Sequence, residues 1–497
     1  MPGASTTSRR HKLAGVLAIP LVLATAGLAA AAPSGDEPPS TPVPITIPDG
    51  EIMSYAVNIK QGKFWQIKNV ERQIASAGGT VVQSWRQIGV VIAHSTDADF
   101  LSNLGAGAGS SPIESAGLTR TAPVVEGTPG EEGTARAATK RKASNEASAR
   151  IAEGGRMAGT EEDPYESLQW GNIAIGADQA NAIEPGKRWI VVGINDSGIE
   201  ATHPDLAANL APNMSRNCTN AGVPEKTGWQ ATTSAHGTHV AGIVAAPRND
   251  VGIVGVAPNI RLASYKVVND QGYIFPEYAI CGIVTATWIG VKITNHSYYV
   301  DPWMFWCEDQ PEQAAAKEAV RRAFAFADRK GVLSIAAAGN ADYDLANKTT
   351  DDSSPNDSTA VDRTINSGCH DIPTELDGVV TVSSTQDDGA KSSFSNYGEG
   401  VIDVAAPGSR IPSTYTGHGY AFLSGTSMAA PAATGVAALL KSTYPKATDE
   451  QLAAMLAQQA TDTPCPTGDA ECTGTDANNG YFGDGLVDAL AAVNPPR

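Results

Sequence analysis

The apolar positions of the chain change period several times, and each change marks a predicted element. Alternation at 55–59, 80–85 and 88–93 predicts three short strands, helical spacing runs over 64–77, and 97–104 reads as a short helix. Together these make a small α+β module. From 164 onward, apolar runs at 189–195, 260–268, 291–295, 332–338, 379–383 and 401–405 predict strands. Helical patterns lie between them at 236–246, 276–290 and 311–330. That alternation is the βαβ rhythm of a mostly parallel sheet with helices on both faces, an α/β fold. Two further helices are predicted at 427–444 and 449–460, the second opened by Thr448 and Gln451 at capping-box spacing.

Between these blocks the composition turns polar. Residues 33–53 are rich in Pro, Ser and Thr and read as an extended leader that buries no core. Residues 105–163 carry Gly, Ala, Ser, Glu and scattered Arg and Lys without a sustained apolar period, so a flexible linker is expected there. The expected organisation is therefore leader 33–53, small module 54–104, linker 105–163 and one large domain 164–497. Ahead of them, Arg9, Arg10, His11 and Lys12 precede an apolar run at 13–32 that ends in small residues. A basic start, an apolar middle and a small-residue end describe a signal peptide, removed on export. Pro20 and several glycines and alanines weaken the competing reading of a membrane anchor. Arg9 and Arg10 leave Sec and twin-arginine export both open, and no second long apolar stretch follows. The mature protein is expected outside the cell, off the membrane.

A formal charge of -18 argues against a phosphate-binding surface, so no nucleic-acid partner is expected. Six cysteines, an even set in an exported chain, are expected to form disulfides. The sequence leaves their pairing open, with Cys465 and Cys472 the easiest local loop.

Three segments place chemistry-bearing side chains where a strand ends or a helix begins, where α/β folds expose functional groups. Asp196 follows an apolar strand in Asp196-Ser197-Gly198-Ile199; a carboxylate there can hold an imidazole in one tautomer. His236 opens His236-Gly237-Thr238-His239-Val240-Ala241-Gly242 on the first turn of a helix, where a neutral imidazole can act as general base. Metal ligation by His236 and His239 would want a third ligand that the sequence does not offer, and His239 is read as structural. Ser427, in Gly425-Thr426-Ser427-Met428-Ala429-Ala430-Pro431, opens another helix, where the positive end of the helix dipole favours a nucleophile. Each residue alone is more often a cap or a turn; their joint occurrence changes the weight.

These motifs, in the order Asp, His, Ser, with His203-Pro204-Asp205-Leu206 after the first, resemble the subtilisin-like serine protease family. The likeness spans 168–491. It implies a catalytic triad of Asp196, His236 and Ser427, with the Asn340 amide as oxyanion donor after Ala338 and Gly339. It further implies a substrate-binding wall at Ser297, Tyr298 and Tyr299 and at Ala338 and Gly339. Tyr298 stands where Leu is usual and Tyr299 where Gly is usual, so the first specificity pocket is expected to be reshaped.

The module at 54–104 is similar to the family's propeptide inhibitor, which would be cut away within 105–163, with Lys140-Arg141-Lys142 one candidate position. The expected protein is a secreted, monomeric endopeptidase acting on proteins and peptides, made as a self-processing precursor and inhibited by its own propeptide. Its chemistry requires no cofactor. The family often binds a structural calcium ion, but Asp342, Asp344, Asn347, Asp351 and Asp352 show no ligand spacing, so no metal site is assigned. The alternative is a catalytically silent binding protein of the same fold, which would be expected to have lost a triad member.

Overall fold

The computed structural model describes residues 37–494 apart from 49, 108, 110, 130–148 and 151–161. The signal-peptide expectation at 1–32 and the basic cluster at 140–142 lie outside the described residues.

The large domain is built on a sheet of seven strands in the order Val404–Pro407, Val379–Thr385, Leu333–Ala337, Ile293–His296, Val191–Asp196, Arg261–Lys266 and Arg216–Asn217. Every neighbouring pair is parallel. Six of these strands overlap the predicted runs. Arg216–Asn217 is too short to carry a period and joins the edge by pairing with Arg261–Lys266.

The near-continuous apolar strands follow from burial on both faces. Val192 and Ile194 pack into a core shared with the helices His236–Ala245, Thr426–Thr443 and Asp449–Gln458. Val191, one residue before Val192 and so on the opposite face of the strand, packs with Ala286 of the helix Pro276–Ile289 on the other side. That second layer also holds Pro311–Asp328, and both of its helices start on a proline, whose missing N–H has no helical partner there anyway. Thr448 and Gln451 form the predicted reciprocal cap.

Chain order decides where a crevice opens. From Val191–Asp196 the chain builds outward to Arg216–Asn217 and Arg261–Lys266, then crosses back to place Ile293–His296 on the opposite side. The carboxyl ends of Val191–Asp196 and Ile293–His296 thus flank a topological switch point.

The N-terminal module is a four-stranded antiparallel sheet, ordered Gly79–Trp85, Val90–Ser95, Met53–Ile59 and Ile113–Leu118, with the helix Ile67–Ser76 on one face. Ile113–Leu118 lies in the segment expected to be linker; its Ser, Ala and Gly carry no apolar signal, and it becomes a strand by pairing with Met53–Ile59.

Along Met53–Ile59, Tyr55, Val57 and Ile59 enter the module's own core, while Ala56 joins the core around the large domain's second helical layer. On that side Asn58 Nδ2 donates to the Ala315 carbonyl (2.7 Å), and an Arg322 nitrogen donates to the Ile59 carbonyl (2.7 Å). After the fourth strand, fully buried Arg120 pairs with buried Glu277 and with Glu126, its guanidinium 3.9 Å from the centre of the Phe275 ring.

The described leader residues 37–48 form no helix or strand, and they are docked on the large domain. Ser40 donates through N (2.7 Å) and Oγ (2.6 Å) to the Asp309 carboxylate, and Thr41 N donates to the Thr364 carbonyl (2.9 Å).

Disulfides join Cys218 to Cys281, Cys307 to Cys369 and Cys465 to Cys472. Among the described residues no helix is long and apolar enough to cross a membrane.

Candidate active site

Asp196 is the last residue of its strand, at the carboxyl edge beside the switch point, and its side chain is 2% exposed. Both carboxylate oxygens lie 2.9 Å from His236 Nδ1, so the ring nitrogen facing the carboxylate carries the proton. Asp196 Oδ1 also accepts from Ser197 N at 2.6 Å, and Ser197 Oγ accepts from Gly237 N at 3.0 Å. The histidine helix therefore starts hydrogen-bonded to the residue after the aspartate. Gly237 is required by this approach: a Cβ there would stand 2.4 Å from the Gly198 carbonyl oxygen and 3.0 Å from Asp196 Oδ1.

His239 points elsewhere. It is buried against the hairpin formed by Ile411–Tyr415 and Gly419–Leu423, with Nε2 donating to the Ala421 carbonyl at 3.0 Å. Burial pulls its pKa down to about 3, so it is a neutral structural residue.

Ser427 sits in the first turn of Thr426–Thr443, where backbone N–H groups have no intrahelical acceptor. Its Oγ donates to the Ser297 carbonyl at 3.3 Å. Pro431, one turn on, has no N–H to give the Ser427 carbonyl, and Ser297 Oγ donates there instead, at 3.0 Å. Ser297 is held in turn: its Oγ accepts from Asn295 Nδ2 at 2.9 Å, and Asn295 Oδ1 accepts from Thr434 Oγ1 at 3.0 Å. The proline thus ties the serine helix to the segment expected to bind substrate.

Asn340 follows the strand Leu333–Ala337. Its Oδ1 accepts from both Thr426 N (2.8 Å) and Thr426 Oγ1 (2.9 Å), and its Nδ2 lies 3.4 Å from where a Cβ on Gly425 would stand, two residues before the serine. Gly339 N donates to the same Thr426 hydroxyl at 3.0 Å. Gly339 has φ +101°, a left-handed conformation that suits glycine, and a Cβ there would meet Asn396 Nδ2 at 2.3 Å.

These groups share one cleft of about 730 Å³, lined by Asp196, His236, Ser297, Tyr298, Tyr299, Gly339, Asn340 and Ser427 among others. Ala338 is not part of that lining: it is fully buried, its N–H donates to the Val382 carbonyl and its own carbonyl accepts from Asn396, so Ala337 and Gly339 meet the cleft on either side of it.

The two tyrosines reshape the wall differently. Tyr298 turns its hydroxyl to His296 Nδ1 (2.8 Å), and burial raises its phenol above the ordinary value. The Tyr299 hydroxyl instead accepts from Asn356 Nδ2 at 2.9 Å. Asp371, Asn396 and Thr426 also belong to this region. Thr426 was visible inside its motif, but Asp371, two residues before Pro373, reads in the sequence only as a turn aspartate.

Three acids of the polar stretch have separate partners. Asp342 pairs with Lys391 and Asp351 with buried Arg363, both at 2.6 Å, while Asp344 accepts from Ala346 N and Asn347 Nδ2. Three other carboxylates, Asp328, Asp449 and Glu450, come within 4.8 Å of one another, and none lines the cleft.

An oriented imidazole, a serine hydroxyl at a helix start and an anchored amide donor make up the parts of acyl transfer through a covalent intermediate. Comparison with known proteins agrees. The profile of the subtilase family matches residues 187–485, and the chain belongs to that family. It is 32% identical over 332 residues to subtilisin DY of Bacillus licheniformis, covering 66% of this chain and 99% of the relative. To thermitase of Thermoactinomyces vulgaris it is 34% identical over 285 residues, covering 57% and 86%. Among solved structures, the epidermin leader peptide processing serine protease of Staphylococcus aureus superposes with TM-score 0.65 at 20% identity, covering 89% of this chain and 98% of that one. Fervidolysin of Fervidobacterium pennivorans gives 0.61 at 24%, covering 91% and 62%. At these identities the structural likeness is one of fold. The protein is a serine-type endopeptidase that needs no cofactor for catalysis.

Proposed function

We propose that the chain is the exported precursor of a monomeric endopeptidase that removes its own N-terminal module, with Asp196, His236 and Ser427 as its triad. The carrying observation is His236 Nδ1 at 2.9 Å from both Asp196 oxygens, in the cleft that also holds Ser427 and Asn340. In this reading His236 takes the Ser427 proton as Oγ attacks the peptide carbonyl, and Asp196 stabilises the imidazolium that forms. Asn340 Nδ2 and the Ser427 N–H receive the oxyanion. The imidazolium then protonates the leaving amine, and water releases the acyl group by the same steps in reverse.

Every group comes from one chain, so a monomer suffices. Substrate lies against Ser297, Tyr298, Tyr299 and Gly339 as an added strand. Export is supported by the basic and apolar pattern of 1–32 and by three disulfides, which persist in oxidising compartments. The module acts as an intramolecular inhibitor, a role supported by its docking through Asn58, Arg120 and Arg322.

The test expresses the precursor beside its Ser427→Ala form and follows both by intact mass and fluorophosphonate labelling. Loss of the N-terminal module and a single label, both in wild type only, is the expected result. A wild type that stays full length and unlabelled would sink the reading and leave a silent binding protein in its place.

A further inference from the structure

We infer that Asp371 supplies a negative charge to the pocket for the side chain preceding the scissile bond, so that this protease cuts after Arg or Lys. The inference rests on the cleft being the proteolytic site proposed above.

Asp371 is 2% exposed yet lines the catalytic cleft. Its Oδ2 lies 3.7 Å from where a Cβ on Gly339 would stand, so it reaches up beside the residue that precedes the oxyanion donor Asn340. Its Oδ1 is buried with no hydrogen-bond partner. A buried carboxylate oxygen left bare is costly, and in native proteins such a group marks strain, a catalytic role or a bound water, ion or ligand; here it lies on a residue that lines the cleft.

The neighbours are already committed. Asn396 uses its amide on the Ala338 carbonyl and on the N–H groups of Ala341 and Tyr343. Lys348, the nearby cation, pairs with Glu375 at 2.5 Å, and Glu375 accepts from Asp371 N at 2.6 Å. Of the other carboxylates lining the cleft, Asp196 holds His236, and Asp270 pairs with Lys266 at 3.0 Å. The lining contains no Lys or Arg among the described residues. The space is thus acidic, short of one cation and walled by the small residues Ala337, Gly339 and Ala341.

Burial and the Glu375 carboxylate hold the Asp371 carboxyl well above the usual range, with Lys348 and the Thr374 hydroxyl opposing them and Asp351 adding to them. A guanidinium or ammonium beside it favours the ionised carboxylate, so the negative charge is expressed against the bound cation, which also brings hydrogen-bond donors.

The test uses the matured enzyme, quantified by fluorophosphonate labelling. Substrates are tetrapeptide p-nitroanilides that differ only in the last residue: Arg, Lys, citrulline or norleucine. Citrulline keeps the shape and most donors of Arg without its charge. The expected result is kcat/KM for Arg and Lys at least about tenfold above citrulline and norleucine, with the Arg-to-citrulline ratio falling to within about twofold in Asp371→Asn. Equal cleavage of Arg and citrulline by wild type overturns the inference, as does an Asp371→Asn enzyme that keeps the preference. Should Asp371→Asn not fold, the wild-type ratio decides alone. Labelled enzyme that prefers norleucine removes only this inference; enzyme neither labelled nor active removes the proteolytic reading beneath it as well.

Discussion

At the scale of single residues, the site depends on a hydroxyl that the motif alone does not explain. Thr426 receives no substrate in the proposed reaction; it fixes Asn340 Oδ1 through two hydrogen bonds and Gly339 N through one. Asn340→Ala removes the donor itself. Removal of the corresponding donor in a subtilisin sets the expected loss, ~2.7 to 4 kcal/mol or about 10² to 10³ in kcat, with KM little changed. Thr426→Val leaves the amide present but loses the hydroxyl anchor, a hydrogen bond of ~1 kcal/mol, so kcat should fall only about fivefold. Steady-state kinetics on one peptide series separates the two. A Thr426→Val loss as large as that of Asn340→Ala would mean that the threonine does more than position. The proposed triad and Asn340 could be read from the sequence because their motifs are local and ordered. Asp371 was not, because its importance comes from what surrounds it: Gly339, Asn396 and Glu375 reach it from other segments.

At the scale of elements, the disulfides differ in how much chain they restrain. Cys218–Cys281 and Cys307–Cys369 span separations of 63 and 62 residues, Cys465–Cys472 only 7. On the loop-entropy argument, removing either long-range bridge should cost about 2 kcal/mol more than removing the short one. Denaturant unfolding of the three double Cys→Ser variants, made in the Ser427→Ala background, checks that order.

The loop after the aspartate strand carries a second measurable feature. Burial pushes Asp205 up to about 8, against hydrogen bonds from Ile253 N (3.0 Å) and the Tyr420 hydroxyl (3.2 Å). The unfolded carboxyl titrates near 4 (about 3.9), so between roughly pH 4 and 8 the folded state holds a proton that the unfolded chain has lost. This group therefore makes stability fall as pH rises through that window and level off above it. Asp205→Asn should flatten that part of the Tm profile between about pH 5 and 8; an unchanged slope would show that the carboxyl is not the cause.

At the scale of the whole molecule, the module is held by a charge buried between two units. Arg120 and Glu277 are 1% and 0% exposed at the side chain, and Arg120→Ala would leave Glu277 without its counterion in the interface. Breaking such a pair costs ~3 to 5 kcal/mol. In the Ser427→Ala precursor, amide exchange in Met53–Ile59 and Ile113–Leu118 should then speed up about a hundredfold or more, while the large sheet keeps its protection. Equal protection in both forms would mean that apolar packing through Ala56, Val90 and Ile92 suffices to hold the module.

The sequence by itself determined the α/β class, nearly every long element, the Thr448 cap and the three motifs that carry the proposed triad. Each of these is written in a local period, a cap or a short run of neighbours. Only the tertiary structure decided the rest. Ile113–Leu118 is a strand because Met53–Ile59 pairs with it, and the leader is docked because Asp309 and Thr364 receive it. The cysteine pairing required the fold to bring distant segments within bonding distance. Asp371 became a specificity residue when a buried oxygen was left without a partner at the edge of the cleft. Period and capping act over a few residues, whereas pairing, docking and desolvation depend on groups tens to hundreds of positions away.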